Sequence, residues 1–351
     1  MRFIHIADVH LGMKPDRDFP WSEERHSEIK DTFYRILDLC NQEEIDFLFI
    51  AGDLFHKQPL LKELKEVNYG FSKLKVTKVI MIAGNHDYIS EHSYYKGFPW
   101  CEQVYMLDSK VMDSIYFPSL NTKVYGFSYH NRDITDYRYS DVIPEEEGII
   151  NILLAHGGDE KNIPIDKNNM KQLGFDYIAL GHIHKPEFIT DRITYVGSLE
   201  PLDKNEIGKH GYILGTIDKN KQIQTCFNPF AKREYIRIIL EVNPTMTSGE
   251  ICDYAKSYIT QTGEENIYII TLKGHKDPDI TIELTPIYKL GNVIQVIDET
   301  VPDYDFNELY YGNQDNMIGM FIDEIRHSGE NDEITDKALY YGVEALLKAR
   351  G

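Results

Sequence analysis

Cysteine, positive charge and long apolar runs are all scarce in this chain, and each scarcity narrows what it can be. The four cysteines, Cys40, Cys101, Cys226 and Cys252, are scattered over 351 residues and form no Cys-x-x-Cys pair. They read as thiols of a reducing compartment, not as a disulfide framework or a thiolate zinc site. No apolar stretch approaches the roughly 20 residues that cross a bilayer. No targeting segment is visible either, because Met1-Arg2 runs straight into Phe3-Ile4-His5-Ile6-Ala7, the pattern of a first core strand. A cytoplasmic protein without a membrane partner is the expectation. Lys and Arg number 37 against 57 Asp and Glu, a formal net charge of −20. That argues against a simple nucleic-acid-binding module, which displaces counterions with a basic footprint. Internal repeats and low-complexity tracts are missing as well.

What is present is an alternation of short apolar strands with amphipathic helices over the first 200 residues. Ile45–Ala51, Val79–Ala83, Ile149–Ala155 and Tyr177–Leu180 are nearly continuous apolar runs, the pattern of strands buried on both faces. Between them, Ile29, Phe33, Ile36, Leu37 and Cys40 share one helical face, and Leu60, Leu64, Val67, Phe71 and Leu74 form a second stripe. This alternation predicts an α/β domain with largely parallel strands. Lys123–Tyr129 and Gly211–Phe227 read as meandering β-structure. The pattern changes near residue 232. The expected organisation is a catalytic domain over 1–232, a small α+β capping domain over 233–290, and an acidic C-terminal segment over 291–351. That last segment holds thirteen acidic and four basic side chains, 4 − 13 = −9. Two helices are predicted in it, near Asn316–Arg326 and near Glu333–Arg350, the second with Asp332 as N-cap.

Five short polar motifs each follow an apolar strand: Asp8-Val9-His10, Gly52-Asp53-Leu54-Phe55-His56, Gly84-Asn85-His86-Asp87, Ala155-His156-Gly157 and Gly181-His182-Ile183-His184. In α/β sheets ligands bind beyond the carboxyl ends of the strands, so five such loops can meet in one crevice. Carboxylate, imidazole and amide oxygen are the donors of a site for Mn²⁺, Fe²⁺ or Zn²⁺, with Mg²⁺ also possible. Seven candidate ligands, Asp8, His10, Asp53, Asn85, His156, His182 and His184, are too many for one ion and suit two. A pair of ions roughly 3.5–4 Å apart can hold a hydroxide and clamp both oxygens of an in-line displacement at phosphorus. By formal count, two divalent ions, two carboxylates and a hydroxide leave the site at about +1, which attracts a phosphodiester into an acidic protein. Gly-Asn-His-Asp alone arises by chance in about one chain per several hundred at ~1/20 per residue, but the ordered set at five strand ends does not.

The ordered set resembles the calcineurin-like metallophosphoesterase superfamily. Within it, Asp8-Val9-His10-Leu11-Gly12, Gly52-Asp53-Leu54-Phe55-His56 and Gly197-Ser198-Leu199-Glu200-Pro201 resemble the SbcD-type DNA double-strand-break repair nucleases, over about residues 1–230. The resemblance implies a four-layer α/β/β/α sandwich with two sheets packed between helices. It implies one ion held by Asp8, His10, Asp53 and His184, and a second by Asp53, Asn85, His156 and His182, with Mn²⁺ commonly preferred. His86 would then protonate the leaving oxygen, Asp87 would orient His86, and His56 would help set the scissile phosphate. An SMC-like ATPase of SbcC type would dock on the C-terminal helices, through Ile318, Phe321, Ile322 and Ile325 and through Leu339, Val343, Leu346 and Leu347. DNA is the implied substrate and a homodimer an open state. The alternatives are a phosphodiesterase or pyrophosphatase acting on small nucleotides or lipids through the same site, and a non-catalytic docking subunit for an SMC-like ATPase, which a missing ligand would have signalled.

Other residues invite weaker readings. Arg17, Arg25, Arg132, Lys185, Lys204 and Lys209 lie near the motif loops, where they either touch a phosphate backbone or are ordinary solvated charges. Tyr129 and His130 could stack on a base. His5, inside the first strand, is expected to be a core residue, and His26, His92, His130, His210, His275 and His327 surface or structural ones.

Overall fold

The computed structural model describes residues 1–144 and 148–350, the latter without the side chains of Asp332 and Arg350. The chain divides into two compact units, Met1–Tyr235 and Ile236–Gly351. In chain order the first holds β1 (Arg2–Ile6), α1 (Ser22–Gln42), β2 (Phe47–Ala51), α2 (Leu61–Phe71), β3 (Lys78–Ile82), β4 (Val104–Met106), β5 (Asp113–Phe117), β6 (Thr122–Gly126) and β7 (Ile150–His156). There follow α3 (Lys167–Met170), β8 (Tyr177–Gly181), β9 (Glu187–Thr190), β10 (Ile193–Tyr195), β11 (Gly211–Ile217) and β12 (Ile223–Pro229). It is an α/β unit with two mixed six-stranded sheets, ordered β12-β11-β1-β2-β3-β4 and β5-β6-β7-β8-β10-β9.

The continuous apolar runs are explained by burial on both faces. In β2, Phe47, Phe49 and Ala51 face the second sheet, where Ile152, Leu154, Tyr177 and Ala179 meet them in one core. Leu48 and Ile50 point the other way, into a core formed with Ile29, Phe33, Ile36 and Leu37 of α1 and Leu64, Val67 and Phe71 of α2. The same period-2 alternation repeats in β7, whose Leu153 and Ala155 leave the intersheet core for a third cluster with Tyr129, Tyr139, Met170 and Phe175. Helices therefore cover one sheet as expected. The outer cover of the second sheet is different: among the described residues it is loops plus the single-turn α3. The expected stripe of α2 also shifts, because Leu60 caps that helix and is 48% exposed.

Parallel pairing brings the motif loops level. β1, β2, β3 and β4 run parallel, and so do β6, β7, β8 and β10. Ala51 lies opposite Ile82 and His156 opposite Gly181, so three carboxyl ends of one sheet and two of the other open on the same side of the intersheet core.

The second unit is built on β13 (Tyr235–Val242), α4 (Ser248–Thr262), β14 (Ile267–Lys276), β15 (Val293–Asp298) and β16 (Val301–Pro302), followed by α5 (Phe306–Gly312), α6 (Met317–Arg326) and α7 (Asp332–Arg350). Thr247 and Glu250 close a capping box on α4, whose Ile251, Ala255 and Ile259 pack on Leu240, Ile270 and Leu272. Sequence reading missed α5, a seven-residue helix capped by Asp305. For α7, Asn331 Oδ1 accepts the Ile334 N–H, so Asn331 takes the capping place expected of Asp332, whose side chain lies outside the described set. The stripes expected to face a partner meet each other instead: Ile318, Ile322, Leu339 and Val343 are buried together, with Phe321, Ile325, Leu346 and Leu347 around them. Burial within an isolated chain removes that surface from water without a second protein. No helix among the described residues is long and apolar enough to cross a membrane.

Candidate metal centre

The first two motif loops are zipped together. The N–H groups of Asp8, His10 and Leu11 donate to the carbonyls of Gly52, Asp53 and Leu54, and the His56 N–H returns to Leu11 O. Asp53 then reaches the third loop, its Oδ1 accepting the His86 N–H at 2.9 Å. A Cβ on Gly84 would stand 2.2 Å from that same Oδ1, so only glycine lets the third loop approach this closely. Asp8 reaches the fifth loop, Oδ2 accepting the His182 N–H at 2.8 Å. Each carboxylate ties down a neighbouring loop with one oxygen and turns the other into the cleft.

What faces the cleft is a set of donors for a cation. Asp53 Oδ2 lies 3.6 Å from His10 Nε2 and 3.5 Å from His156 Nε2. Asp8 Oδ1 lies 3.8 Å from His184 Nε2 and is buried without a hydrogen-bond partner. His10 Nε2 and His184 Nε2 are 3.2 Å apart, while Asn85 Oδ1 is 2.9 Å from His156 Nε2 and 3.2 Å from His182 Nδ1. His156 Nδ1 is held 2.9 Å from the Ala51 carbonyl, which places its proton there and leaves Nε2 bare. Bare nitrogens facing bare oxygens cost free energy unless a proton or a cation lies between them. Asp8, Asp53 and His156 form one three-donor cluster, Asp8, His10 and His184 a second, and His10, His56 and His86 a third. The shared members make them one continuous site that fits a dinuclear metal centre. Asp8, His10, Asp53, His156 and His184 belong to these clusters, and Asn85 Oδ1 bridges His156 and His182, so the seven expected ligands stand side by side.

The electrostatics say the same. Burial raises the Asp8 carboxyl to about 6 even though His184 and His156 oppose it. Burial also works against an ionised Asp53, yet His156 and His10 outweigh it and hold that carboxyl below its ordinary value. His156 and His184 are pushed up to about 9, burial being overcome by Asp53 and Asp8 for the first and by Glu206 and Asp8 for the second. The metal-free cleft draws protons to neutralise its carboxylates, and a divalent cation supplies the same neutralisation.

A calcineurin-like phosphoesterase family model matches residues 1–186 of the 351. The chain belongs to that family. Among curated relatives, the Bacillus subtilis (strain 168) protein named uncharacterized metallophosphoesterase YhaO is 28% identical over 233 residues, 61% of this chain and 57% of its own length. The DNA double-strand break repair protein Mre11 of Methanopyrus kandleri is 26% identical over 281 residues, 71% of this chain and 60% of its own. The chain thus spans about 60% of the length of these relatives. A solved structure, TT1561 of Thermus thermophilus, overlaps 64% of this chain and 98% of its own at 10% identity, with a TM-score of 0.38.

For a metallophosphoesterase, the residues beyond the ligands matter as much. His86 Nδ1 lies 2.9 Å from the His56 carbonyl, so its proton sits on Nδ1. The His86 ring stacks 5.2 Å from the His56 ring and stands edge-on to His10. Burial, then the neighbouring His86, lowers the basicity of His56, and the charges of Arg17 and Lys57 act in the same direction. Asp87 is a correction. Its carboxylate accepts the N–H groups of Gly84 and Phe55 and the Tyr95 hydroxyl, and does not face the His86 ring. It braces the second motif loop against the third, and the His56 carbonyl orients His86.

Two further readings are overturned. Arg25 is fully buried, where it pairs with Glu28 and Glu200 and donates to Pro201 O, so it cannot meet a phosphate. Tyr129 is fully buried with its hydroxyl on His156 O, so no base can stack on it. Among the described residues, Arg132 and Lys185 are exposed and make no hydrogen bond or ion pair with the cluster. His5 is buried as expected, its Nδ1 2.9 Å from the Tyr177 hydroxyl. Sequence reading missed Asp159 and Glu206, which sit on the outer nitrogens of His182 and His184. For Asp159 the only signal was its nearness to His156, and for Glu206 its nearness to Gly197-Ser198-Leu199-Glu200-Pro201.

Proposed function

We propose that this metal-dependent phosphoesterase is a nuclease of SbcD type that hydrolyses DNA phosphodiesters as one subunit of a complex with an SMC-like ATPase. The observation that carries the reading is the third cluster: His10, His56 and His86 continue the two carboxylate clusters, so a phosphoester held at the ions has two more imidazoles beside it. The likeness to an Mre11 over 281 residues supports a polynucleotide substrate. Asp8, His10, Asp53 and His184 would hold one ion, and Asp53, Asn85, His156 and His182 the other, with Asp53 shared. Ions bound there, Mn²⁺ first among candidates, supply Lewis acidity toward a phosphoryl oxygen and make water acidic enough to attack at neutral pH.

The chain's own groups do the rest. As the imidazolium, His86 keeps its Nδ1 proton on a carbonyl and hands its Nε2 proton to the departing sugar oxygen, returning to the neutral ring. His56 and the exposed Arg17 hold the phosphate on the near side. Residues 233–290 serve as accessory domain, and 291–351 as docking element through surface other than the two stripes, which cover each other. The four unpaired thiols fit a reducing cytoplasm. A phosphodiesterase for small nucleotides is the second reading, favoured by the net charge of −20, which repels long polyanions outside the cleft. The test is purified protein with Mn²⁺ or with chelator on single-stranded DNA, duplex ends, cyclic nucleotides and an aryl phosphodiester. Mn²⁺-dependent DNA cleavage is expected. Turnover of cyclic nucleotides with intact DNA would replace the first reading by the second.

A further inference from the structure

Both imidazoles of Gly181-His182-Ile183-His184 have a carboxylate on the nitrogen that points away from the cleft. His182 Nε2 is 2.7 Å from Asp159 Oδ2, and its Nδ1 faces Asn85 Oδ1. His184 Nδ1 is 2.7 Å from Glu206 Oε1, and its Nε2 faces Asp8 and His10. The two rings are thus held in opposite senses, one bare at Nδ1 and the other bare at Nε2. A carboxylate only accepts, so each contact places the ring proton on the outer nitrogen and leaves the inner lone pair free.

Neither carboxylate is there by default. Asp159 sits in a loop whose shape it enforces, its Oδ1 accepting the N–H groups of Lys161 and Asn162. The next residue, Ile163, is fully buried at φ 42°, a conformation costly for a β-branched side chain. Glu206 Oε2 accepts the Ser198 hydroxyl at 2.9 Å and the Leu202 N–H at 3.0 Å. That loop closes onto the His184 backbone, the Ser198 N–H donating to His184 O, and a Cβ on Gly197 would stand 2.6 Å from the same carbonyl. In both loops one carboxylate oxygen is used by the loop itself and the other reaches a histidine, the Asn162 amide also donating to the second oxygen of Asp159.

We infer that Asp159 and Glu206 are positioning residues that fix the opposite tautomers of His182 and His184, each thereby governing the affinity of one of the two metal ions. The inference rests on the dinuclear reading above. It gives the amide variants a specific consequence. In Asp159→Asn the amide oxygen stays on the Lys161 and Asn162 N–H groups, which turns the NH₂ toward His182 Nε2 and drives the ring proton to Nδ1. In Glu206→Gln the oxygen stays on Ser198 and Leu202, the NH₂ faces His184 Nδ1, and the proton moves to Nε2. Each variant protonates the nitrogen that should bind metal while leaving the loop hydrogen bonds in place.

The test has two readouts, neither of them activity. Nitrogen-15 NMR of the metal-free protein, at a pH high enough that both rings are neutral, reads the ring tautomers: the wild type should carry protons on His182 Nε2 and His184 Nδ1, and each variant should reverse its own histidine alone. Mn²⁺ titration followed by electron paramagnetic resonance should show each variant weakening one of two ions by about 10–100-fold, the range found when such outer partners are removed. Unreversed tautomers, or two ions at wild-type affinity in both variants, would overturn the inference. So would loss of both ions together with a lowered unfolding midpoint of the metal-free variant, since that is loop collapse. A wild type that binds no Mn²⁺ sinks the dinuclear reading instead, and the tautomers still decide the role of the two carboxylates.

Discussion

Replacing His86 by alanine tests the chemistry more sharply than removing a ligand does, because it should change one step and leave the rest. The ring is anchored by Nδ1–H to the His56 carbonyl, while the His86 backbone N–H donates to Asp53 Oδ1. The alanine variant keeps the second bond, so the third motif loop and Asp53 stay in place. What is lost is a proton donor, and general acid catalysis of this kind is worth roughly 10²–10⁴-fold, about 3–5 kcal/mol of barrier. The size of the loss should depend on the leaving group. A deoxyribose oxygen is a poor leaving group without a proton, whereas a nitrophenolate departs unaided. Steady-state rates of wild type and His86→Ala on DNA and on bis(nitrophenyl) phosphate, with Mn²⁺ affinity measured alongside, give the comparison. The expectation is a full loss on DNA, a far smaller one on the aryl ester, and unchanged metal binding. Equal losses on both substrates would refute the proton-donor role and leave His86 as a phosphate contact.

Three other outcomes follow from the same contacts. Mn²⁺ at a hundred times its dissociation constant should stabilise the protein by about 2.7 kcal/mol per ion, read as a higher unfolding midpoint by calorimetry; a midpoint indifferent to Mn²⁺ and chelator would deny the site its cations. Arg25→Met should cost about 3–5 kcal/mol in urea unfolding, because it strands the buried Glu200 without a guanidinium, while Glu28 keeps that of Arg233; a cost under 1 kcal/mol would mean that Glu200 is protonated or held by its other partners. His5, held by burial at about 3 against an ordinary 6.5, binds its proton in the unfolded chain first. Its contribution is therefore intact above pH ~6.5 and falls by up to about 1.4 kcal/mol per pH unit below it. His5→Gln should flatten the acid side of the stability curve between pH 4 and 6.5, and parallel curves for the two proteins would contradict the assignment.

The sequence made the strand cores and the meeting of the motif loops legible, and physical reasons mark where legibility stopped. Period-2 burial on two faces leaves a continuous apolar run, so Phe47–Ala51 and Ile150–His156 announced themselves. The loops followed, because parallel strands must open their carboxyl ends on one side. Arg25 was misread because a charged residue beside a motif looks the same whether it faces water or a buried Glu200, 175 residues away. Asp87 was misread for a similar reason, since adjacency to His86 says nothing about where a side chain turns. Glu206 left no signal beyond its nearness to Gly197-Ser198-Leu199-Glu200-Pro201, its role arising only when β8 and the loop before β11 come together. The stripes of α6 and α7 were read correctly as apolar, but a stripe carries no information about whether its cover is a partner or its own neighbour.

Backbone strain links the fold to the chemistry. Among the described residues, nine non-glycine positions have positive φ, and four of them are Asp8 (50°), His10 (51°), Asp53 (52°) and His182 (91°). Such conformations cost roughly 1–3 kcal/mol each and persist only where the surroundings over-determine them. Here the surroundings are the cross-loop bonds: Asp8 N–H to Gly52 O, His10 N–H to Asp53 O, and His182 N–H to Asp8 Oδ2. The strain is thus held by backbone amides and by the outer oxygens of the same carboxylates whose inner oxygens face the cleft. Ligand geometry is set before any cation arrives, so binding does not have to spend free energy on ordering the loops. The same coupling makes Asp8 and Asp53 hard to replace. Glutamate reaches too far to keep both oxygens in register, and alanine removes a ligand and a loop tie at once, so activity lost on alanine substitution cannot be assigned to metal binding alone.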